Sequence, residues 1–342
     1  MTTQPSGSTR APNIRDVARA AGVSYQTVSR VLNDSPNLRP ETRDRVLQAI
    51  DELGYRPNQA ARALVTSRSR LIGVLVASRA AAYGVQTAVY EIEDAAREAG
   101  YSVAVATCLS DDASVRHAIE QLLGQSVEAI VVVAPQARVF DHLKAQPLAV
   151  PYVSLDSERR DEGRSVSVDQ FEGARLATRH LMELGHSRIL HLAGPQDWIE
   201  ADARMRGYLR EVADNELFVR PPVLGDWTAE FGYRAGRELL HRMEFTAVFC
   251  SNDQMALGLM HAFREADVRV PADISVVGFD DIPDAAHYWP PLTTIRQDFA
   301  EIGRRAIALL LAQLTDDAAP GPAEPIRPQL VLRASTGAPG RP

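Results

Sequence analysis

At 342 residues, with 45% hydrophobic and 24% charged side chains, the sequence is ordinary globular material, long enough for a small domain joined to a larger one. It has no run of about 18 apolar residues to span a bilayer, and Met1 to Asn13 lack the apolar stretch of an export signal, so we expect a cytoplasmic protein without membrane contact. The net charge of −7 is uneven: residues 1–70 hold 11 Arg and 6 acidic residues, which favours a DNA-binding head on an acidic body.

From Ile14 onward the basic segment predicts two short helices joined at a glycine. Apolar residues recur at helical spacing from Ile14 to Ala21, and Gly22 ends that pattern. Ser24 can cap a second helix from Tyr25 to Leu32, and a third helix is expected from near Pro40. Helix, glycine turn and helix is the helix-turn-helix pattern. The inward side chains are predicted to be Val17, Val23, Val28, Val31, Leu32, Val46, Ile50 and Leu53.

The outward face of the second helix is polar. Arginine can bond guanine O6 and N7, glutamine can bond an adenine edge, and hydroxyls suit phosphate oxygens. An ordinary solvated helix face is the alternative, but the turn, the cap and the positive charge favour a surface that reads a major groove. The residues on this face are Tyr25, Gln26, Thr27, Ser29 and Arg30.

The head resembles a known family. IRDVARAAGVSYQTVSRVLN and, beyond the third helix, LGYRPNQAARAL are similar to the head of the lactose repressor (LacI/GalR) family. The resemblance implies a repressor in which Tyr25, Gln26 and Arg30 contact operator bases and Leu64 enters the minor groove at the operator centre. The DNA-contacting positions that it implies are Ile14, Ser24, Tyr25, Gln26, Thr27, Ser29, Arg30, Asn33, Tyr55, Asn58, Ala61 and Leu64.

Residues 58–70 are expected to form a hinge helix and linker. Gln59 to Leu64 are good helix formers, yet so short a segment is marginal alone in water, where helices below about 12 residues rarely persist. We expect it to be disordered until DNA and a partner segment stabilise it, which makes it a candidate switch between operator binding and release.

Beyond Leu71 short apolar runs alternate with amphipathic stretches, which predicts strands alternating with helices and therefore parallel sheets. The pattern restarts after about Ser165, so two lobes with a cleft between them are expected. Cys108 and Cys250 lie inside apolar runs, which predicts buried thiols and neither a disulfide nor a metal site. The strand segments are LIGVLVA, SVAVAT, AIVVVA, PYVSLD, RILHLAG, AVFCSND and ISVVGFDD.

The family resemblance continues along the body in HLMELGHSRILHLAGP, SNDQMALG and ADISVVGFDDIPDAAHYWPPLTTIRQDF. It implies a small all-α helix-turn-helix head plus an α/β periplasmic-binding-protein-like core of two doubly wound lobes, with crossovers near Asp169, Ile295 and Pro325. The expected division is a disordered tail at 1–11, the DNA-binding domain at 12–57, the hinge helix and linker at 58–70, the core at 71–336 and a second tail at 337–342. Within the core, lobe 1 is expected at about 71–168 and 297–324, and lobe 2 at about 169–296 and 325–336.

Several polar residues follow apolar strands, where a cleft opens. Asp156, Asn252 and Asp280 each stand at such a strand end, and carboxylates, amides and guanidinium groups pair with sugar hydroxyls, while tryptophan offers an apolar face. A surface charge at Asp280, or core packing at an aromatic residue, is the plainer alternative. The ligand positions implied by the resemblance are Asp156, Arg204, Trp227, Asn252, Gln254, Asp280, Phe299, Ile302, Ala77 and Tyr83.

The expected effector is a galactoside or another small β-glycoside that releases the repressor, and no cofactor is expected. Positions that match the family's contacts on lobe 1 read Ala77, Tyr83, Gly84 and Val133, so the cleft departs from the family pattern. The alternative within the family is a purine or phosphosugar corepressor, and a lesser one is a sugar-binding protein without a regulatory role.

An enzyme is disfavoured because Asp280 and Asp281 are consecutive and point in different directions, and because no nucleophile elbow or phosphate loop occurs. Two heads are expected to read the two halves of a pseudo-palindromic operator, so a homodimer is predicted. The family resemblance places its contact in the lobe nearest the head. The terminal ASTGAPGRP cannot form a coiled coil, which argues against a tetramer.

Overall fold

The computed structural model describes residues 12–32, 38–55, 68–77, 83–155, 164–315 and 324–340. The chain divides into two compact units, Met1–Ser69 and Arg70–Pro342. The hinge helix expected at 59–64 and the tail expected at 1–11 lie outside the described residues, as do the predicted contact residues Asn33, Asn58, Ala61, Leu64 and Asp156.

The described part of the head contains three helices: α1 (Ile14–Ala20), α2 (Tyr25–Leu32) and α3 (Pro40–Leu53). Asn13 and Asp16 cap α1 reciprocally, each side chain accepting a hydrogen bond from the other's backbone N–H. Gly22 lies at φ 62°, a left-handed conformation that lets the chain turn sharply between α1 and α2. The apolar stripes of the three helices meet in one small core.

The prediction that Leu53 points into this core is wrong, because its side chain is 37% exposed. The helix ends at Leu53, and Gly54 at φ 59° turns the chain back. The Tyr55 N–H then bonds the Ile50 carbonyl at 3.0 Å, and the Tyr55 ring packs on the core in place of Leu53.

The second unit contains two sheets, each with helices on its faces. Lobe 1 has strand order β2-β1-β3-β4-β5, all parallel. Its elements are β1 (Leu71–Val76), α4 (Tyr83–Glu98), β2 (Ser102–Thr107), α5 (Asp112–Gly124), β3 (Ala129–Val133), α6 (Ala137–Ala145), β4 (Tyr152–Leu155) and β5 (Ser165–Val166).

Lobe 2 has strand order β11-β10-β9-β8-β6-β7, parallel except for β11 at its edge. Its elements are α7 (Gln170–Glu183), β6 (Ile189–Ala193), α8 (Ile199–Asp214), β7 (Val223–Leu224), α9 (Ala229–Leu239), a 3₁₀ turn (Leu240–Arg242), β8 (Ala247–Cys250), α10 (Asp253–Glu265), β9 (Ser275–Asp280), a second 3₁₀ turn (Pro283–His287), β10 (Thr293–Arg296) and β11 (Gln329–Val331).

The chain passes between the lobes three times. It leaves lobe 1 between β5 and α7, returns after β10 as α11 (Phe299–Leu314), which packs on α4, β3 and β4, and crosses again between Ile326 and β11. Asp169 and Asp298 cap the helices that follow the first two crossings, each accepting a hydrogen bond from a backbone N–H at 2.9 Å. The residues beside these crossings therefore lie where the two lobes meet.

The expectation of a disordered tail from residue 337 is wrong for residues 337–340. The Gly337 N–H donates to Ser275 Oγ at 3.0 Å, and the Gly337 carbonyl oxygen lies 2.9 Å from His186 Nε2. Composition predicted disorder, but contacts with lobe 2 hold the segment, and sequence pattern does not reveal such contacts.

Both thiols are buried, as predicted, and burial raises the pKa of Cys108 to about 11. Among the described residues, no helix is both long and apolar enough for a transmembrane span. Nor do the described parts of the chain bring three metal-ligating side chains together.

Candidate functional sites in the head and the core

The outward face of α2 presents the polar side chains that the sequence singled out. Tyr25 is 50% exposed, and Gln26 and Arg30 are also exposed. Ser24 Oγ accepts a hydrogen bond from the Thr27 N–H at 3.1 Å and lies 2.9 Å from Thr27 Oγ1. The cap thus fixes the first turn of α2, while Gln26 and Arg30 stay available for base edges.

Two other predicted contact residues of the head also serve its packing. Ile14 and Tyr55 are half-buried against the small core. Burial raises the pKa of Tyr55, and the neighbouring Tyr25 adds to that rise. Ser29 is half-buried on α2.

A cavity lies between the two lobes, beside the crossings, with an empty volume of about 760 Å³ that includes open solvent. Its lining residues are Tyr83, Gly84, Val85, Ala88, Val133, Ala134, Pro135, Leu155, Val166, Ser167, Val168, Gln170, Trp198, Glu200, Arg204, Trp227, Asn252, Asp280, Gln297, Phe299 and Ile302.

Four buried polar side chains form a closed ring at one side of the cavity. Arg204 Nε donates to Gln170 Oε1 at 2.8 Å, and Gln170 Nε2 donates to Gln297 Oε1 at 2.6 Å. Gln297 Nε2 donates to Asp280 Oδ1 at 2.7 Å, and Arg204 Nη2 closes the ring to the same oxygen at 3.4 Å. Arg204 also donates to the Ser251 carbonyl. Because each member is held by its neighbours, the ring is a preorganised set of donors and acceptors.

Burial sets the electrostatics of this ring. It raises the pKa of Asp280 to about 6, against the opposing effect of Arg204, and it lowers the pKa of Arg204. It also raises the pKa of Asp253, behind the ring, well above its ordinary value, and the charge of Asp280 adds to that rise. The Arg204 guanidinium lies 3.8 Å from the centre of the Phe279 ring, an arrangement that favours a buried cation.

Backbone strain is concentrated at the same place. Trp227, Asp280 and Asp281 have φ of 73°, 107° and 53°, in the region that side chains other than glycine rarely adopt. The strained Trp227 is held by Asn252, whose Nδ2 donates to the Trp227 carbonyl at 2.9 Å. A Cβ at position 194 would overlap the Trp227 ring, so this placement of the ring requires glycine at position 194. Strain of this kind, about 1–3 kcal/mol per residue, is typical of functional sites.

Comparisons with known proteins identify the family of this chain. The model of bacterial regulatory proteins of the lacI family matches residues 13–58, and the periplasmic binding protein-like domain matches residues 178–336. The lactose operon repressor of Escherichia coli K12 is 37% identical over 327 residues, which cover 95% of this chain and 90% of that protein. The chain belongs to the LacI family.

Other relatives agree with the family and differ in ligand. The repressor PurR of Pasteurella multocida is 34% identical over 94% of this chain and 98% of its own length. The Lac repressor dimer bound to operator and the anti-inducer ONPF has a TM-score of 0.85 at 36% identity, over 96% of this chain and 100% of that one. A complex of the regulator CelR with cellobiose has a TM-score of 0.69 at 31% identity, over 95% and 99%. The predicted family, fold class and DNA-binding repressor are confirmed.

In this LacI-family repressor most of the predicted ligand residues converge on the cavity. Seven line it: Tyr83, Arg204, Trp227, Asn252, Asp280, Phe299 and Ile302. Gln254 lies beside them, and its Oε1 is 3.4 Å from Asn252 Nδ2. Asp156 is outside the described residues.

The structure does not bring Ala77 to the cavity. Its N–H bonds the Val133 carbonyl at 3.0 Å, and its side chain is fully buried in the apolar cluster on the far face of the lobe 1 sheet. Val76 packs in the cluster that contains Phe299 and Ile302. Because successive strand residues point to opposite faces, Ala77 faces away from them.

Five polar or aromatic lining residues were missed by sequence reasoning: Ser167, Gln170, Gln297, Trp198 and Glu200. A signal existed for the first three, which stand next to the predicted crossings. None existed for Trp198 and Glu200, which lie at the start of α8. This helix places Glu200 one turn before Arg204, on the same face.

The two adjacent aspartates of the repressor have different hydrogen-bond partners. Asp280 accepts from Gln297 and Arg204, whereas Asp281 accepts from Arg296 Nε and Arg333 Nη2, each at 2.6 Å. They therefore do not face one bond as an acid and base pair. The relatives identified above are transcriptional repressors, not enzymes.

Proposed function

We propose that this repressor leaves a pseudo-palindromic operator when a small neutral sugar, a galactoside or another β-glycoside, occupies the cavity between the lobes. The observation that carries the proposal is the buried ring of Arg204, Gln170, Gln297 and Asp280. It offers paired donors and acceptors, the chemistry that sugar hydroxyls need.

The charge of the cavity favours a neutral ligand. Arg204 is the cation of the ring, and its guanidinium bonds Asp280. Glu200 and Asp253 also lie close enough to oppose the lowering of its pKa by burial. An added phosphate would have to compete with these carboxylates for the same guanidinium, at a buried site where unpaired negative charge is costly. The site therefore suits a polyol better than a phosphosugar.

The related proteins support a glycoside effector, and they also support one alternative. The CelR structure contains cellobiose, a β-glycoside, in a chain of the same fold. The PurR relatives keep a purine corepressor open as the second candidate. The effect of the ligand on operator affinity distinguishes the two candidates, because an inducer weakens operator binding and a corepressor strengthens it.

The test is a ligand panel read by thermal unfolding and by operator affinity. We expect β-galactosides or β-glucosides to raise the melting temperature and to weaken operator binding by about 5- to 150-fold, the usual size of such coupling. Purine bases and sugar phosphates should do neither. A purine that raises the melting temperature and strengthens operator binding would establish the alternative.

A substitution in the ring tests whether the cavity is the effector site. Arg204→Ala should keep operator affinity and lose the response to sugar, since the operator is read by the head. Arg206→Ala is the matched control, because Arg206 lies on the same helix, half exposed and paired with Asp202 at 2.8 Å. Equal loss of operator affinity and sugar response in folded Arg204→Ala contradicts the proposal.

The functional form is a homodimer that reads two half-sites. One head presents a single eight-residue helix, α2, which reads only a few base pairs. The related Lac repressor was solved as a dimer on operator. Sedimentation equilibrium should give twice the 37.4 kDa mass of the chain. A monomer at micromolar concentration, with and without operator, would refute this.

A further inference from the structure

Two tryptophans form a corner at the cavity. The Trp198 and Trp227 rings meet edge to face, with centroids 5.3 Å apart and planes at 60°. Both side chains are more than nine-tenths buried and both line the cavity. The Trp227 indole N–H is buried and has no hydrogen-bond partner in the described structure, which leaves a donor for a bound ligand.

Trp198 occupies a backbone position where a different residue would be more stable. It is the N-cap of α8, and its side chain makes no capping hydrogen bond. Serine, threonine, aspartate and asparagine are the residues that stabilise this position. A residue that breaks a local rule beside a cavity indicates a role in that cavity.

The neighbouring lobe fixes the position of Trp198. The Ile199 N–H donates to the Pro135 carbonyl at 2.8 Å, and Trp198 forms an antiparallel bridge with Gln136. Ile199 also packs in an apolar cluster of lobe 1. The backbone at Trp198 is therefore fixed where the lobes touch, and its ring packs against Trp227. An aromatic wall placed in advance binds a flat ligand face at little entropic cost.

The cavity is polar on one side and apolar on the other. The polar ring lies beside the crossings, whereas lobe 1 supplies an apolar wall that includes Val85, Val133, Leu155 and Phe299. A single hexose carries hydroxyls around most of its rim, so some of these hydroxyls would face the apolar wall. An effector with a sugar at one end and a less polar second ring at the other satisfies both sides.

We propose that the effector carries a second ring, joined to the sugar through its glycosidic oxygen, and that Trp198 is the specificity-determining residue that packs on it. This inference rests on the proposed function, since it takes the neutral glycoside as given and adds the shape of the ligand. Trp227 then packs against the first ring, next to the polar ring of side chains.

The test measures dissociation constants by calorimetry on the full chain. The probes are methyl β-glucoside and methyl β-galactoside, which have one ring, and cellobiose, lactose and the phenyl β-glycosides, which have two. We expect at least one two-ring ligand to bind about tenfold tighter than the methyl glycoside of the same sugar, the effect of one aromatic contact with burial of its ring.

Trp198→Ser should remove most of that tenfold preference while changing methyl glycoside affinity less than about threefold, and Trp198→Phe should keep part of it. Trp289→Ser is the matched control, since Trp289 is 83% exposed and away from the cavity lining. Equal affinity of wild-type protein for one-ring and two-ring ligands overturns the inference but leaves the proposed function standing. An equal loss of affinity for one-ring and two-ring ligands in Trp198→Phe also overturns the inference and leaves the proposed function standing. If no glycoside of either class binds, the proposed function itself fails.

Discussion

The head and the core place their functional side chains in opposite ways. In the head the face predicted to read DNA lies on one helix, Tyr25–Leu32, and Tyr25, Gln26 and Arg30 on that face are exposed. In the core the polar ring draws Gln170, Arg204, Asp280 and Gln297 from distant parts of the chain and buries them. Side chains on an exposed local surface can change with little effect on stability, whereas members of a buried ring cannot, because each one satisfies its neighbours.

The largest expected effect of a substitution is on the stability of the core. Arg204→Ala leaves the buried Asp280 without its cation, so the free energy of unfolding of the core should fall by about 3–5 kcal/mol. Denaturant unfolding followed by core fluorescence measures it. The double variant Arg204→Met with Asp280→Leu should recover much of the loss, since apolar packing replaces both charges. A single variant as stable as the wild type would show that the ring is not coupled.

The second effect is a pH dependence that belongs to Asp280. Burial raises its pKa to about 6, from an ordinary 3.8, so between these values the folded state holds a proton that the unfolded chain has lost. Asp280 therefore opposes folding at neutral pH, and this penalty disappears as the pH falls from about 7 to 4. Its size is on the order of 3 kcal/mol.

The free energy of unfolding of wild type minus that of Asp280→Asn should therefore rise as the pH is lowered across this window. Asp273 offers a control of opposite sign, because its bonds to Arg269 lower its pKa to about 2. For Asp273→Asn the same difference should stay nearly constant across this window and shrink only as the pH falls below about 4 toward 2. A difference for Asp280→Asn that stays constant with pH would show that the carboxyl is not buried as described.

A third variant tests the head. Gln26→Ala should lower the preference for operator over a base-substituted site by about 1–3 kcal/mol, since one base contact is lost. The slope of affinity against salt concentration should stay the same, because no charge is removed. Gln48→Ala is the control, as Gln48 is exposed on α3, where it donates to Glu52 at 2.8 Å. Competition binding with an unchanged preference would exclude Gln26 from base reading.

The smallest effect is expected at the cap of α2. Ser24→Ala removes the side-chain acceptor of the Thr27 N–H and should lower the stability of the head by about 1 kcal/mol, measured as loss of the helical signal at a lower temperature. Ser24→Asp should restore the stability and still weaken DNA binding, because it adds a negative charge near phosphate. If Ser24→Asp is as unstable as Ser24→Ala, the side chain does not act as a cap.

The sequence predicted the head more completely than the core. The glycine turn at Gly22, the cap at Ser24 and the stripe of Val17 and Val28 are local patterns, and the predicted head matched them except at Leu53. In the core the strand segments were predicted, and seven of the ten predicted ligand residues line the cavity, but Ala77 faces away from it and Trp198 was not predicted. A one-residue error at a strand end reverses the face, and no local pattern marks a residue that meets the cavity from the start of a helix.

The sequence by itself determined the head, the alternation of strands and helices and the set of polar groups at strand ends, because these depend on neighbours within one or two turns. Only the tertiary structure decided that Gln170 and Gln297 join Arg204 and Asp280 in one ring, that Trp198 meets Trp227, and that residues 337–340 pack against lobe 2. Those contacts join residues up to about 150 positions apart, and which of the many possible distant pairs meet is settled by packing of the whole core rather than by any local preference.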